Sequence, residues 1–247
     1  PLEEQEVVLT IPASFDEGAR ALTLEAARLA SLPTVRLVEE PQAAFYDWLS
    51  REEDLAAATA GTQLALVVDV GGGTTDLTFI RVERREGVPR LTRVAVGDHL
   101  VLGGDNMDLA LARDAEGALG GSLGPARFAQ LVAQCRGAKE SLLGDGGPER
   151  ATISVLGGGS RLVGGTLATE LDRAAVHARI VDGFFPRVGV DAAVARRAGA
   201  IVELGLPFVA DAAVTRHVAA FVRRHQDVAR DAVPEAERTP AGLTLPD

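Results

Sequence analysis

The chain has 247 residues, a mass of 25.8 kDa and a formal net charge of −10, with 47% hydrophobic, 24% charged and 4% aromatic residues. No apolar run is long enough to cross a bilayer. An acidic chain without a lysine/arginine cluster is a poor match for a nucleic-acid backbone, and the one cysteine, Cys135, excludes an internal disulfide or a cysteine-based metal centre.

In chain order, Pro1 is followed by LEEQEVVLT, which runs straight into a strand with no initiator Met, so the chain is expected to be a piece of a longer protein. Val7 to Pro12 reads as a short strand. Phe15 to Ala30 carries apolar residues at helical spacing, with Asp16 and Glu17 suited to a helix start. Thr34 to Pro41 alternates like a strand, and QAAFYDWLSREEDLAAA reads as a second helix. This β-α-β-α order implies an α/β layer. Ala57 to Thr62 looks like a joint. Gln63 to Val70 and Thr75 to Val82 read as a hairpin around three glycines, and Arg90 to Val96 as a further strand. GDHLVLGGDNMD is expected to be a loop opening a helix near Asp105. Phe128 to Leu143 is a strong helical stretch. Ala151 to Val155 and Arg161 to Leu167 read as short strands, and Leu171 to Val181, Asp191 to Leu204 and Ala212 to His225 as helices. The tail from Asp227 is Pro- and charge-rich and is expected to be a loop or fraying end.

The stretch LVVDVGGGTTDLTFI, Leu66 to Ile80, carries the chemistry. Glycines bring no Cβ, so a ligand can approach the backbone closely. Successive N–H groups in such a turn form an anion-binding concavity. Thr74 and Thr75 add hydroxyl donors. Asp69 ends a buried strand and Asp76 follows the turn, a carboxylate pair suited to hydrated Mg²⁺ and an attacking water. The plain alternative is a glycine-rich hairpin with a solvated aspartate at each end. No Gly-Lys-Ser/Thr follows, so this is not a Walker A loop. No helix follows the glycines directly, so it is not a dinucleotide fingerprint.

VVDVGGGTTDLTFI closely resembles the second phosphate loop of the actin-like ATPases, above all the heat shock protein 70 (DnaK-type) chaperones. Three other segments resemble that family in the same order. They are VVLTIPASFDEGARALTLEAARLASLPTVRLVEEPQAAFYDWL, GDHLVLGGDNMDLAL (with one extra residue before its Gly pair) and CRGAKESLL. Together the resemblance covers about residues 6 to 143. It implies an α/β, actin-like ATPase (ribonuclease H-like) fold, present in part, with an α+β outer subdomain. The implied division is 1–55 as the second part of the first-lobe inner subdomain and 56–112 as the second-lobe inner subdomain with the phosphate hairpin. Residues 113–205 would be the second-lobe outer subdomain, and 206–247 a return helix and tail toward the inner one.

The resemblance also implies roles. Asp69, Asp76, Glu40 and Thr74 would be the catalytic set, with Asp69, Asp76 and Glu40 holding Mg²⁺ largely through water. Gly71, Gly72, Gly73 and Thr75 would line the phosphates, and Gly103 and Gly104 would lie near sugar and phosphates. Lys139, Arg136 and Glu140 occupy the nucleotide-contacting helix. Pro12 and Arg20 match a pair that relays nucleotide state to a substrate-binding domain. By themselves these residues have plainer readings. Glu40 suits a helix N-terminus, Pro12 ends a strand, Arg20 sits on a helix surface, and Gly103 and Gly104 form a tight turn. The family has an acidic residue where Arg136 stands and a basic one where Glu140 stands. A carboxylate cannot replace a guanidinium stacked on a base, so the ribose and base contacts are open; an i,i+4 pair between Arg136 and Glu140 is the structural alternative.

LGGGSRLVGG, Leu156 to Gly165, imitates the family's adenosine loop, but a β-type run follows it, and it reads better as a hairpin. The adenosine loop is expected beyond Asp247, and the first phosphate loop with its lysine ahead of Pro1. His99, His177, His217 and His225 lack metal-ligand spacing, Cys135 is expected to pack within a helix, and Arg216, Arg223 and Arg224 read as a solvated face.

The expected protein is therefore the nucleotide-binding domain of a bacterial, cytoplasmic chaperone that binds ATP or ADP with Mg²⁺ and acts on unfolded clients with co-chaperones, without nucleic acid or membrane. The alternatives are an actin-like filament or cell-division ATPase, a sugar or acetate kinase, and a degenerate nucleotide-binding module. By itself the chain is expected to hydrolyse ATP slowly or not at all, and to self-associate through the strip from residue 1 to about 55, which lacks sheet partners.

Overall fold

A computed structural model describes residues 4–13, 15–85, 88–156, 165–195 and 210–232. The chain divides into two compact units. The first comprises 1–69, 75–100 and 220–247, and the second 70–74 and 101–219.

In the first unit, β1 (Val7–Ile11) pairs in parallel with β2 (Val35–Glu39), Val7 facing Val35 and Ile11 facing Glu39. The connection is α1 (Glu17–Leu29), a helix crossover of the kind parallel strands need. Asp16 caps α1 by accepting from the Ala19 N–H at 2.8 Å, which satisfies a donor with no intrahelical partner. Among the described residues, β1 and β2 pair only with each other. α2 (Glu40–Arg51) follows β2 directly, with Pro41 in its first turn, where a missing N–H costs nothing. The expected second helix is broken: α2 ends at Arg51, and a short α3 (Leu55–Ala58) follows.

A three-stranded sheet comes next, in the order β3 (Leu64–Val70), β4 (Thr75–Arg85), β5 (Val88–Val96). The β3–β4 turn around the glycines is the one the sequence implies. β4 and β5 are antiparallel, with an irregularity between Phe79 and Ile80. The core here is Leu64, Leu77, Phe79, Ile80 and Val82, joined by Phe221 and Val222 from the end of α7 (Val214–Arg224). The Phe79 and Phe221 rings lie 4.8 Å apart. Gly97 is closely packed here: a Cβ would come within 3.2 Å of both Leu77 and Phe221.

The second unit holds α4 (Gly104–Ala118) and α5 (Pro125–Leu143). Leu131, Cys135, Ala138 and Leu142 recur at helical spacing along α5, and all are buried. β6 (Arg150–Leu156) and β7 (Thr166–Asp172) form an antiparallel pair that closes at Leu156 and Thr166. Two antiparallel strands thus flank the GGGS segment, but the second, expected over Arg161–Leu167, extends to Asp172. Residues 157–164, including the expected strand start at Arg161, lie outside the described residues. α6 (Arg173–His177) runs on into a π turn (Ala178–Asp182). Asp172 ends β7 and caps α6, so the helix expected from Leu171 starts at Arg173.

Two expectations need correction. Asp191–Ala195 is not helical; the remainder of the expected helix to Leu204 lies outside the described residues. Here Asp211 accepts from the Ala195 and Ala213 N–H groups at 2.7 and 2.9 Å, so a side chain takes a bond a helix would have supplied. The tail from Asp227 is not a loop at first: α8 (Gln226–Ala232) is helical, with Ala229 fully buried. Residues 233–247 lie outside the described residues.

Phe79→Ala is expected to cost about 3–5 kcal/mol, as for other buried aromatics, because Phe79 is wholly buried against Phe221. Denaturant unfolding checks this; a loss under about 1 kcal/mol would contradict it.

Candidate functional site

In the second unit, the glycine loop is tied to the start of α4. The Gly104 N–H donates to the Gly71 carbonyl at 3.0 Å, and the Asp105 N–H to the Gly72 carbonyl at 2.7 Å. The first N–H groups of a helix have no intrahelical acceptor, and here the loop supplies two. A Cβ at Gly103 would lie 2.6 Å from both of those carbonyl oxygens, so only glycine allows this approach. Gly103 is held in turn by its own N–H donating to the Asn106 side chain at 2.8 Å.

Within the loop the Gly71 N–H closes on the Thr74 carbonyl at 2.8 Å. Among the described residues, no acceptor meets the N–H groups of Gly72, Gly73 and Thr74. Gly71, Gly72 and Gly73 are exposed and Thr74 is half-buried. The loop thus turns its carbonyls to α4 and leaves three successive donors unclaimed, the disposition that binds anions. Thr75, expected to add a hydroxyl, is wholly buried, with its N–H and carbonyl paired to Leu100 at 2.9 and 3.3 Å. The Thr75 residue is thus closed off from solvent, unlike the half-buried Thr74.

α5 carries the second half of this arrangement. Lys139 Nζ lies 2.7 Å from Asp108, whose side chain is almost wholly buried on α4. It would also lie 3.7 Å from a Cβ at Gly104. Arg136 Nε donates to Asp108 at 2.7 Å, and its Nη2 to Asp105. These two carboxylates hold the Arg136 pKa above its ordinary value, the Asp108 hydrogen bond contributing most and Glu140 least. The i,i+4 pair between Arg136 and Glu140 is therefore corrected: the guanidinium is engaged across the helix pair by α4. Cys135 is wholly buried on α5, and burial, with Asp108 and Asp114 nearby, pushes its thiol up to about 12. It is inert packing, as expected.

In the first unit, the carboxylates Glu40, Asp69 and Asp76 interact. Burial pushes the Glu40 pKa up, and the negative charges of Asp69 and Asp76 push it further, while His99 opposes them. Asp76 is buried at the start of β4, and His99 Nδ1 lies 3.1 Å from its Oδ1. This histidine, which spacing alone left unassigned, is the residue sequence reasoning missed; its only signal was its place just after Gly97 and Asp98. Among the described residues, no group of three or more His, Cys, Asp or Glu is disposed to hold a metal directly.

Glu39, at the end of β2, is buried and paired with Arg20 at 2.5 Å and with Arg93. Arg20 also donates to the Phe15 carbonyl at 3.3 Å, and the Phe15 N–H to the Pro12 carbonyl at 3.1 Å. Pro12, Arg20 and Glu39 therefore form one connected set that ends one residue before Glu40. Of the expected solvated arginines, Arg216 pairs with Asp211 at 3.1 Å and Arg224 with Asp98 at 2.5 Å. Among the described residues, no helix is long and apolar enough to cross a membrane.

Two measurements check this geometry. Because the Glu40 pKa is raised on folding, the fold binds its proton more tightly than the unfolded chain does. Stability is then lost as pH rises from the ordinary value of 4.5 through the raised one. Glu40→Gln is expected to raise the melting temperature at neutral pH, the gain vanishing below about pH 4.5; a gain that persists in acid would contradict it. A carboxylate only accepts hydrogen bonds, so neutral His99 is expected to carry its proton on Nδ1. Long-range proton–nitrogen correlation spectra distinguish this from the Nε2–H tautomer.

A family model described as Hsp70 protein matches residues 2–117. A chaperone protein HscA homolog from Bordetella petrii is 38% identical over 148 residues, which cover 59% of this chain and 22% of that protein. HscA homologs from Acinetobacter baumannii and Variovorax paradoxus are 36% identical over 137 residues and 39% over 136, each covering 55% of this chain and 21% and 20% of those proteins. The chain spans about a fifth of the length of these curated relatives. Its mixed helix-and-strand architecture accords with the actin-like ATPase fold of the family. With the glycine loop, the paired carboxylates and these matches in agreement, residues 2–117 are similar to the Hsp70 family.

Proposed function

We propose that this chain is part of the nucleotide-binding domain of an Hsp70-type chaperone, taking ATP and ADP with Mg²⁺ and switching a protein-binding domain in the intact protein. The observation that carries this reading is the set of three successive N–H groups, Gly72 to Thr74, that no acceptor meets among the described residues. Gly71, Gly72, Gly73 and Thr74 line the phosphates, with Gly103 and Gly104 bracing the loop and Lys139 adding positive charge beside Gly104.

Asp69, Asp76 and Glu40 carry the cation chemistry. Asp69 and Asp76 push the Glu40 pKa up, so this group of carboxylates is short of positive charge, which favours a cation held through its water shell. Mg²⁺ held by these carboxylates would supply the positive charge that offsets the phosphate charge. Asp76, oriented by His99, and Glu40, whose raised pKa brings it nearer to neutral pH, hold and orient the attacking water. Pro12 and Arg20 pass the state of Glu40 outward through Glu39. The named relatives are chaperones, which favours this reading over the filament and kinase alternatives. The subdomain division at about residues 55, 112 and 205 and a cytoplasmic location belong to the same proposal, as does self-association through the β1–β2 strip.

Phosphoryl transfer depends on groups placed around the whole phosphate chain, so the 247-residue chain alone is expected to turn over ATP slowly or not at all. A chain extended at both ends is expected to bind Mg²⁺-ATP and Mg²⁺-ADP by calorimetry. In it, Asp69→Ala or Asp76→Ala should lower kcat by about 10²-fold, the usual cost of an electrostatic group at the reacting centre. An extended chain that ignores both nucleotides sinks the proposal.

A further inference from the structure

Asp105 is an awkward neighbour for an anion site. Its carboxylate lies beside the loop: a Cβ at Gly72 would be 3.9 Å from its Oδ1, and one at Gly73 4.0 Å from its Oδ2. An anion drawn to the Gly72–Thr74 N–H groups would meet this negative charge at close range, where two like charges repel appreciably even in a solvated setting. Arg136 Nη2 caps the same Oδ1. Its Nε holds Asp108, but Asp108 is also paired to Lys139 at 2.7 Å. Removing Arg136 would therefore leave Asp108 with a partner and strip Asp105 of its own.

We propose that Arg136 is a positioning residue that sets the anion affinity of the glycine loop by neutralising Asp105 and holding its carboxylate back against α5. The proposal rests on the loop's taking phosphate. It does not require Arg136 to touch the ligand, and it assigns a purpose to a cation where the family pattern has an acid. Because both side chains are about half exposed, the effect is expected to fade as salt rises.

The test is a double-mutant cycle on the chain extended at both ends, with Mg²⁺-ADP and, separately, inorganic phosphate as probes, read by calorimetry at low and high salt. Arg136→Ala is expected to weaken binding about tenfold at low salt, the scale of one uncompensated charge at this range. Adding Asp105→Asn to it is expected to restore affinity to within about twofold of wild type. Asp105→Asn alone is expected to bind at least as tightly as wild type, and it reads the proposal even if Arg136→Ala fails to fold. Persistent weakness in the double variant would show that Arg136 contacts the anion itself, and would overturn the shielding role. An unchanged Arg136→Ala, or an Asp105→Asn that binds more weakly, overturns it too. A wild-type chain that binds neither probe overturns the loop reading and this inference together, and is thereby distinguished from the other failures.

Discussion

The second unit's loop depends on two carbonyl groups. Gly71 and Gly72 turn their oxygens onto the first N–H groups of α4, at 3.0 and 2.7 Å. A helix start ordinarily offers those donors to a side chain, to water or to an anion. Here the backbone takes them, so the anion-seeking face passes from the helix to the loop. With its carbonyls committed inward, the loop leaves the N–H groups of Gly72, Gly73 and Thr74 without an acceptor among the described residues. Gly103 is what this arrangement requires, because a single added carbon there would collide with both carbonyls. Two glycine clusters some thirty residues apart thus form one structural device.

Charge is organised around that device by α5. Lys139 and Arg136 lie one turn apart, and both reach Asp108, while Arg136 alone reaches Asp105. Burying Asp108 without a partner would cost several kcal/mol, and two cations remove that penalty. The buried Cys135 on the same helix, with its thiol held protonated, contributes volume only. In the first unit the sign is opposite. Glu40, Asp69 and Asp76 accumulate negative charge that His99 only partly offsets, while Glu39, one residue away, is compensated by Arg20 and Arg93. Adjacent glutamates on one chain therefore have contrary roles: Glu39 is neutralised and holds β2 to α1 and β5, and Glu40 is left short of positive charge.

Much of this was legible in the sequence because it depends on local patterning. The glycine hairpin between apolar runs, the α1 cap at Asp16, the spacing of Leu131, Cys135, Ala138 and Leu142 along α5, and the strand pair around GGGS all follow from period and turn chemistry. The failures were equally local in origin. Asp191 to Ala195 has the alanine-rich texture of a helix, but Asp211, sixteen or more residues on, captures its backbone. The tail from Asp227 looks like a loop by charge, yet Ala229 is buried and the helix is drawn on to Ala232.

By itself, then, the sequence determined most of the elements, the glycine loop with its flanking aspartates, and the similarity of residues 2–117 to the Hsp70 family. Those features are written in neighbouring residues, where spacing decides. Only the tertiary structure decided the partners. His99 meets Asp76 across twenty-three residues, Arg136 chooses Asp105 and Asp108 over Glu140 four positions away, and Thr75 is buried while Thr74 is not. Which charges meet, and which hydroxyls face water, is set by the packing of elements remote in sequence, and no spacing rule along the chain carries that information.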